Sequence, residues 1–174
     1  MVRNSVPTQR TGRRGSALAL VISILVPFII GGVGALSTAG NVTGWYADAN
    51  KAPWTPPNWV FGPVWSMLYT FMGIAFWLAW READGARRTK GIRLFIAQLA
   101  LNAIWTPIFF SGFPAWGPIA FWIGAAIILV MDVLVWLTIV EFKYVNIWAA
   151  RFLIPYEAWL WIATTLNIYL AFAN

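Results

Sequence analysis

Apolar residues fall into five long runs separated by short polar breaks. The first, about Ala17 to Ala39, carries no charge, and the second, Trp59 to Trp80, is uncharged until Arg81-Glu82 ends it. The third covers about Leu94 to Phe113. The fourth covers about Pro118 to Val140 and contains Asp132; the fifth, about Ile147 to Ala173, has Arg151 near its start and Glu157 a turn and a half further in. A hydrocarbon core about 30 Å thick takes roughly 20 helical residues, so each run is long enough to cross. No strand-like alternation appears, which argues against a barrel. The expected fold class is all-α, an integral membrane bundle of five transmembrane helices.

Connections 82–91, 112–117 and 141–146 are short and force neighbouring helices antiparallel. Segment 40–58 is long and holds Trp45, Tyr46, Trp54 and three prolines. Proline fixes φ and lowers the entropy lost on ordering. Two readings stay open there: an aromatic belt at the membrane surface, or an ordered lid over a cavity between helices. No internal repeat is visible, which weighs against a repeat-built transporter. The expected organisation is a disordered basic tail over 1–15 and one membrane domain over 16–174, with 40–58 as its lid.

Composition supports the membrane reading: of 174 residues 60% are hydrophobic and 10% charged, against about 25% charged in soluble domains. The chain has no cysteine and no histidine, which excludes disulfides, thiolate or imidazole metal sites and a Ser–His–Asp triad. No metal is expected. Thirteen tryptophans, twelve phenylalanines and five tyrosines exceed what a lipid anchor belt requires. Eleven of the twelve basic residues flank one side of the runs: Arg3, Arg10, Arg13, Arg14, Arg81, Arg87, Arg88, Lys90, Arg93, Lys143 and Arg151. Only Lys51 falls on the other side. The positive-inside rule then places the N-terminus in the cytoplasm, with the C-terminus and the 40–58 loop opposite. Topology and anionic lipid account for the net charge of +6, so no nucleic-acid partner is expected. Arg13-Arg14, an apolar run and Ser37-Thr38-Ala39 also resemble a secretion signal. The run is long for one, and Gly31, Gly32 and Gly34 look like helix-packing positions, so the first span is expected to be retained.

Several spaced positions are candidates for a site. Trp65, Tyr69, Gly73 and Phe76 share a face of the second run, as core filling or as the frame of a flat slot. Gln98, Asn102, Trp105 and Phe109 share a face of the third, which Pro107 is expected to kink. A primary amide in hydrocarbon needs a partner, so Gln98 and Asn102 either tie helices together or aim donors at a ligand carbonyl. The fifth run repeats the pattern with Trp159, Ala163 and Asn167. Glu157 is expected near the membrane interface, whereas Asp132 lies deeper with no cationic partner in view.

These residues sit in blocks that resemble the translocator protein family, also called the tryptophan-rich sensory protein or peripheral benzodiazepine receptor family. The blocks are Trp45-Tyr46 with Lys51-Ala-Pro-Trp54-Thr-Pro56-Pro57-Asn58-Trp59-Val-Phe-Gly-Pro-Val-Trp65, then Gln98-Leu-Ala-Leu-Asn102-Ala-Ile-Trp105-Thr-Pro107-Ile-Phe-Phe110, then Ala149-Ala-Arg151-Phe-Leu-Ile-Pro155-Tyr156 through Trp159 to Ala163-Thr-Thr-Leu-Asn167. The resemblance implies five helices around a pocket under the first loop. It also implies porphyrin, sterol or aromatic amide ligands and a homodimer in a bacterial membrane. By position, Trp65 and Asn102 match residues that hold a ligand carbonyl, while Tyr46, Pro56, Tyr69, Trp105, Trp159 and Ala163 match pocket-lining residues. No cofactor is required; porphyrin or haem would enter as ligand. Relatives that degrade porphyrin in light implicate the tryptophans matching Trp65 and Trp159, so those two are the catalytic candidates under that alternative. A second alternative is a proton-coupled transporter using Asp132 or Glu157. Two family features are missing: no basic residue follows Tyr169 as in the sterol pattern of animal members, and Arg93 and Ala97 stand where Gly-xxx-Gly often forms a dimer face.

Overall fold

The computed structural model describes residues 16–174, so the expectation for a tail over 1–15 lies outside the described residues. Six helices follow one another: α1 (Ala17–Thr43), α2 (Trp45–Asp48), α3 (Asn58–Trp80), α4 (Ala86–Trp116), α5 (Ile119–Val145) and α6 (Ile147–Ala173). No strand occurs among the described residues. The five long helices close a ring in the order α1, α3, α6, α5, α4 and back to α1.

Helices outrun the apolar runs that announced them. α4 begins at Ala86 rather than Leu94 and continues to Trp116; only Asn146 separates α5 from α6. Hydropathy marks where a helix meets lipid, whereas backbone hydrogen bonding continues as long as propensity and caps allow. Arg88, Lys90 and Arg93 are good helix formers in water and extend α4 past the boundary. Four helices, α1, α3, α4 and α5, are long and apolar enough to cross a membrane. α6 has the length, 27 residues, but Glu157, Thr164, Thr165 and Asn167 dilute its apolar character. The outer surface of the ring is apolar: along α1, Leu18, Val21, Ile22, Leu25, Ile29, Val33 and Leu36 are all exposed, as lipid permits and water does not.

Each turn between helices is held by a specific partner. Ser16 caps α1 by accepting from the Ala19 amide, and Asn146 caps α6 by accepting from Trp148 and Ala149. The last carbonyls of α3 would be orphaned. Arg88, buried in α4, reaches back to them, with Nε donating to Ala79 O at 3.3 Å and Nη2 to Trp80 O at 2.9 Å, and it also pairs with Asp84. Glu141 of α5 takes Lys90 at 2.7 Å and Arg87 at 3.4 Å from the start of α4. Basic residues gathered at this end of the bundle therefore also lock the helix ends there.

α1 approaches α3 closely because two glycines allow it. A Cβ at Gly73 would lie 2.7 Å from the Ser23 carbonyl, and one at Gly31 would collide with the Tyr69 ring. Pro27 removes the amide that Ser23 O would otherwise meet. Of the other glycines expected to pack, Gly34 faces Thr106, whereas Gly32 meets nothing.

Candidate functional site

The aromatic stripe of α3 faces its neighbour in the ring, α6. Trp65 stacks on Tyr69 with centroids 5.3 Å apart and meets the edge of Tyr156 at 6.3 Å. One turn nearer segment 40–58, Phe61 meets Trp159 at 5.7 Å. α4 supplies the third wall through Gln98 and Asn102, both buried. All three walls converge on Tyr156, whose side chain is wholly buried. Asn102 Nδ2 donates to the Tyr156 hydroxyl at 3.2 Å, and that hydroxyl donates to Gln98 Oε1 at 3.0 Å. The hydrogen bonds thus run in one direction, from Asn102 through Tyr156 to Gln98.

Closer to segment 40–58, Trp105 stacks on Phe109 at 4.8 Å and donates its indole N–H to Asn167 Oδ1 at 3.2 Å. Asn167 in turn donates to the Phe121 carbonyl at 2.9 Å, which fixes its amide. Trp105 touches both the central core and an outer cluster of Tyr46, Phe109, Phe121, Leu170 and Ala171. Ala163 is half-buried against the central core, one turn beyond Trp159.

Segment 40–58 is ordered across the outer end. α2 buries Tyr46 against Phe109 and Phe110, at 6.2 and 5.2 Å. Burial pushes the Tyr46 phenol above its ordinary value near 10. Trp45 donates to the Phe110 carbonyl at 2.9 Å. That carbonyl is available because Pro114, four residues on, has no N–H to offer it. The far half of the segment reaches α6. The Asn50 amide donates to Asn174 Oδ1 at 2.9 Å, Asn174 Nδ2 returns a bond to Asn50 O at 3.2 Å, and Trp54 donates to Thr165 at 3.1 Å. The segment therefore straps α4 to α6. Trp54 itself stays exposed and borders an outward-facing groove of about 520 Å³ with Thr165, Ile168, Tyr169 and Phe172.

Of the sequence-expected residues, the structure groups Trp65, Tyr69, Asn102, Trp159 and Ala163 around the central layer, with Trp105 and Tyr46 above them. Pro56 is half-buried in the strap and has no ring contact or side-chain hydrogen bond with the others. Tyr156 had been given no role, although it stands inside the third sequence block; a buried tyrosine between two amide-bearing helix faces is the signal that identifies it.

A second buried polar set lies in the seam between α5 and α6. Thr164 donates to Asp132 Oδ2 at 2.9 Å, and Trp161 donates to Glu157 Oε1 at 3.1 Å. Each carboxyl leaves its other oxygen buried without a partner. Glu157 is 7% exposed, turned in against the neighbouring helices. Its helix turns it toward α5, while Arg151 points outward over Trp148.

The model of one protein family, described as the TspO/MBR family, matches residues 23–173. The chain is 39% identical to the tryptophan-rich protein TspO of Archaeoglobus fulgidus over 90% of this chain and 97% of that one. It is 40% identical to the translocator protein of Homo sapiens over 78% of each. Against the tryptophan-rich sensory protein of Cereibacter sphaeroides it is 36% identical over 71% of this chain and 72% of that one. A family match over residues 23–173, with relatives this similar over most of the chain, leaves one conclusion: the chain is an integral membrane protein belonging to the TspO/MBR family.

Proposed function

We propose that the chain binds flat hydrophobic molecules, tetrapyrroles such as porphyrins first among them, and carries or senses them across a bilayer. Sterols and aromatic amides are further candidate ligands. On this reading α6 is the fifth span, the N-terminus is cytoplasmic, the strap over 40–58 is a lid on the opposite side, and two copies pair. The observation that carries the reading is the convergence of an indole–phenol stack from α3 and two amides from α4 on one buried tyrosine of α6. Aromatic faces supply stacking and dispersion, and a few fixed donors orient the guest. Trp65 and Asn102 are the proposed carbonyl donors; Tyr46, Pro56, Tyr69, Trp105, Trp159 and Ala163 are the proposed lining.

Two hydrogen bonds and a dry aromatic wall are expected to give micromolar affinity, about −8 kcal/mol. Titrating protoporphyrin IX into the purified protein in lipid nanodiscs, with tryptophan fluorescence as readout, is expected to show saturable quenching. Non-saturating quenching, equal to that of free tryptophan in the same nanodiscs, would reject the reading.

A second reading, breakdown of the bound porphyrin under light and oxygen, draws on the contact between Trp65 and Tyr69. An indole oxidised by an excited porphyrin would have a phenol beside it to pass the oxidation on to. Bleaching that stops in the dark, and in Trp65→Phe or Trp159→Phe, is the expected result. Bleaching at the rate of free porphyrin would dismiss it.

A further inference from the structure

The hydrogen bonds around Tyr156 leave a remainder. Because the Tyr156 hydroxyl accepts from Asn102, its own proton goes to Gln98 Oε1. That contact turns the Gln98 carboxamide so that its NH2 group faces the other way, and Gln98 Nε2 is buried with no acceptor. Three residues further along α6, on the same side of the helix, Trp159 Nε1 is also buried with no acceptor. Two N–H donors, one on α4 and one on α6 a turn from Tyr156, are thus buried unmet, whereas buried donors are nearly always paired.

We infer that Gln98 is a further ligand-binding residue, and that with Trp159 it takes an uncharged oxygen acceptor of the guest, an ester, amide or ketone carbonyl, rather than a carboxylate. This deepens the porphyrin-binding reading above and rests on it. Donors without acceptors call for an acceptor. Its neutrality follows from the surroundings. No basic side chain among the described residues bonds to this layer: Arg88 is spent on the end of α3, Arg87 and Lys90 on Glu141, Arg81 lies over Trp77, and Arg151 lies over Trp148. An ion buried without a counter-charge is strongly disfavoured. A guest's carboxylates therefore stay at the mouth, on the lid side where Lys51 stands, and its carbonyls go down to Gln98.

Three porphyrins separate these roles: protoporphyrin IX dimethyl ester with neutral carbonyls, protoporphyrin IX with carboxylates, and etioporphyrin with neither. Wild-type protein in nanodiscs is expected to bind the ester about a thousandfold more tightly than etioporphyrin, about tenfold for each hydrogen bond from Trp65, Asn102 and Gln98. Gln98→Met is expected to lower that preference about tenfold while leaving etioporphyrin and the free acid within twofold. Tyr156→Phe keeps the ring but removes the proton that turns Gln98, and is expected to reduce the same preference three- to tenfold. Equal weakening of all three porphyrins in both variants would make Gln98 and Tyr156 merely structural and overturn the inference, as would an unchanged ester preference or loss of the free acid alone. Wild-type protein that saturates with none of the three would instead defeat the porphyrin-binding reading itself, and the role of Gln98 with it.

Discussion

Two of the buried polar sets in the bundle are built differently. The Asn102 and Gln98 side chains hydrogen-bonded to Tyr156 are both carboxamides, and the groups come from helices that face each other across the ring. In the α5–α6 seam the polar groups are carboxyls, each touched by one donor from the neighbouring or same helix. The first set lies among stacked aromatic rings, the second between helices that are neighbours in sequence and joined by a single residue. A polar group in lipid can serve recognition or hold helices together. Placement among flat aromatic faces favours recognition for the first, and placement in a tight helix pair favours assembly for the second.

Substitutions that affect one function and spare the other sharpen that contrast. The largest effect is expected for Trp65→Phe combined with Asn102→Ala, which removes both proposed carbonyl donors. Affinity for protoporphyrin IX dimethyl ester should fall about a hundredfold, a tenfold loss for each hydrogen bond, while loss of the Asn102–Tyr156 bond costs about 1 kcal/mol of stability. Next comes Thr164→Val, which strips Asp132 of its one donor. Unfolding in mild detergent should become easier by about 1–2 kcal/mol, with porphyrin affinity intact; a loss of affinity without a loss of stability would erase the distinction between the two sets. Trp45→Phe, which frees the Phe110 carbonyl again, should cost about 1 kcal/mol locally and show as faster porphyrin release. The smallest effect concerns pH. Tyr46 is held un-ionised by burial beneath the strap, so the displaced strap ionises before the docked one. Stability present below pH 10 is then lost as pH rises through the higher docked value. The ultraviolet difference between wild type and Tyr46→Phe should titrate above pH 10; a midpoint at or below 10 would mean that the strap does not shield it.

Much of this was legible in the chain, for identifiable reasons. Uncharged runs of lipid length announce helices because a bilayer leaves the backbone no other way to satisfy itself. Spacing of four and three placed Trp65 with Tyr69, and Gln98 with Asn102, on single faces. Partners are harder to read, because they depend on how helices are rotated against one another. Trp105 was expected to line a pocket, yet its indole N–H is spent on Asn167. Asn102 was open between tying helices together and facing a ligand carbonyl, and one of its protons goes to Tyr156 of α6, a tie between helices. Asp132 showed no cationic partner and has none among the described residues; its donor is the hydroxyl of Thr164, from the neighbouring helix. Arg88 looked like one more cytoplasmic charge, and its work at the end of α3 depends on a turn whose shape hydropathy does not report.

Enclosure of a guest by the α3, α4 and α6 walls is the claim on which the rest stands. The direct measurement is the affinity of protoporphyrin IX dimethyl ester for wild type and for Trp65→Phe/Asn102→Ala, by tryptophan quenching in the same nanodiscs. Saturable micromolar binding that weakens about a hundredfold in the double variant is the predicted result. Equal affinity in the two proteins would contradict it.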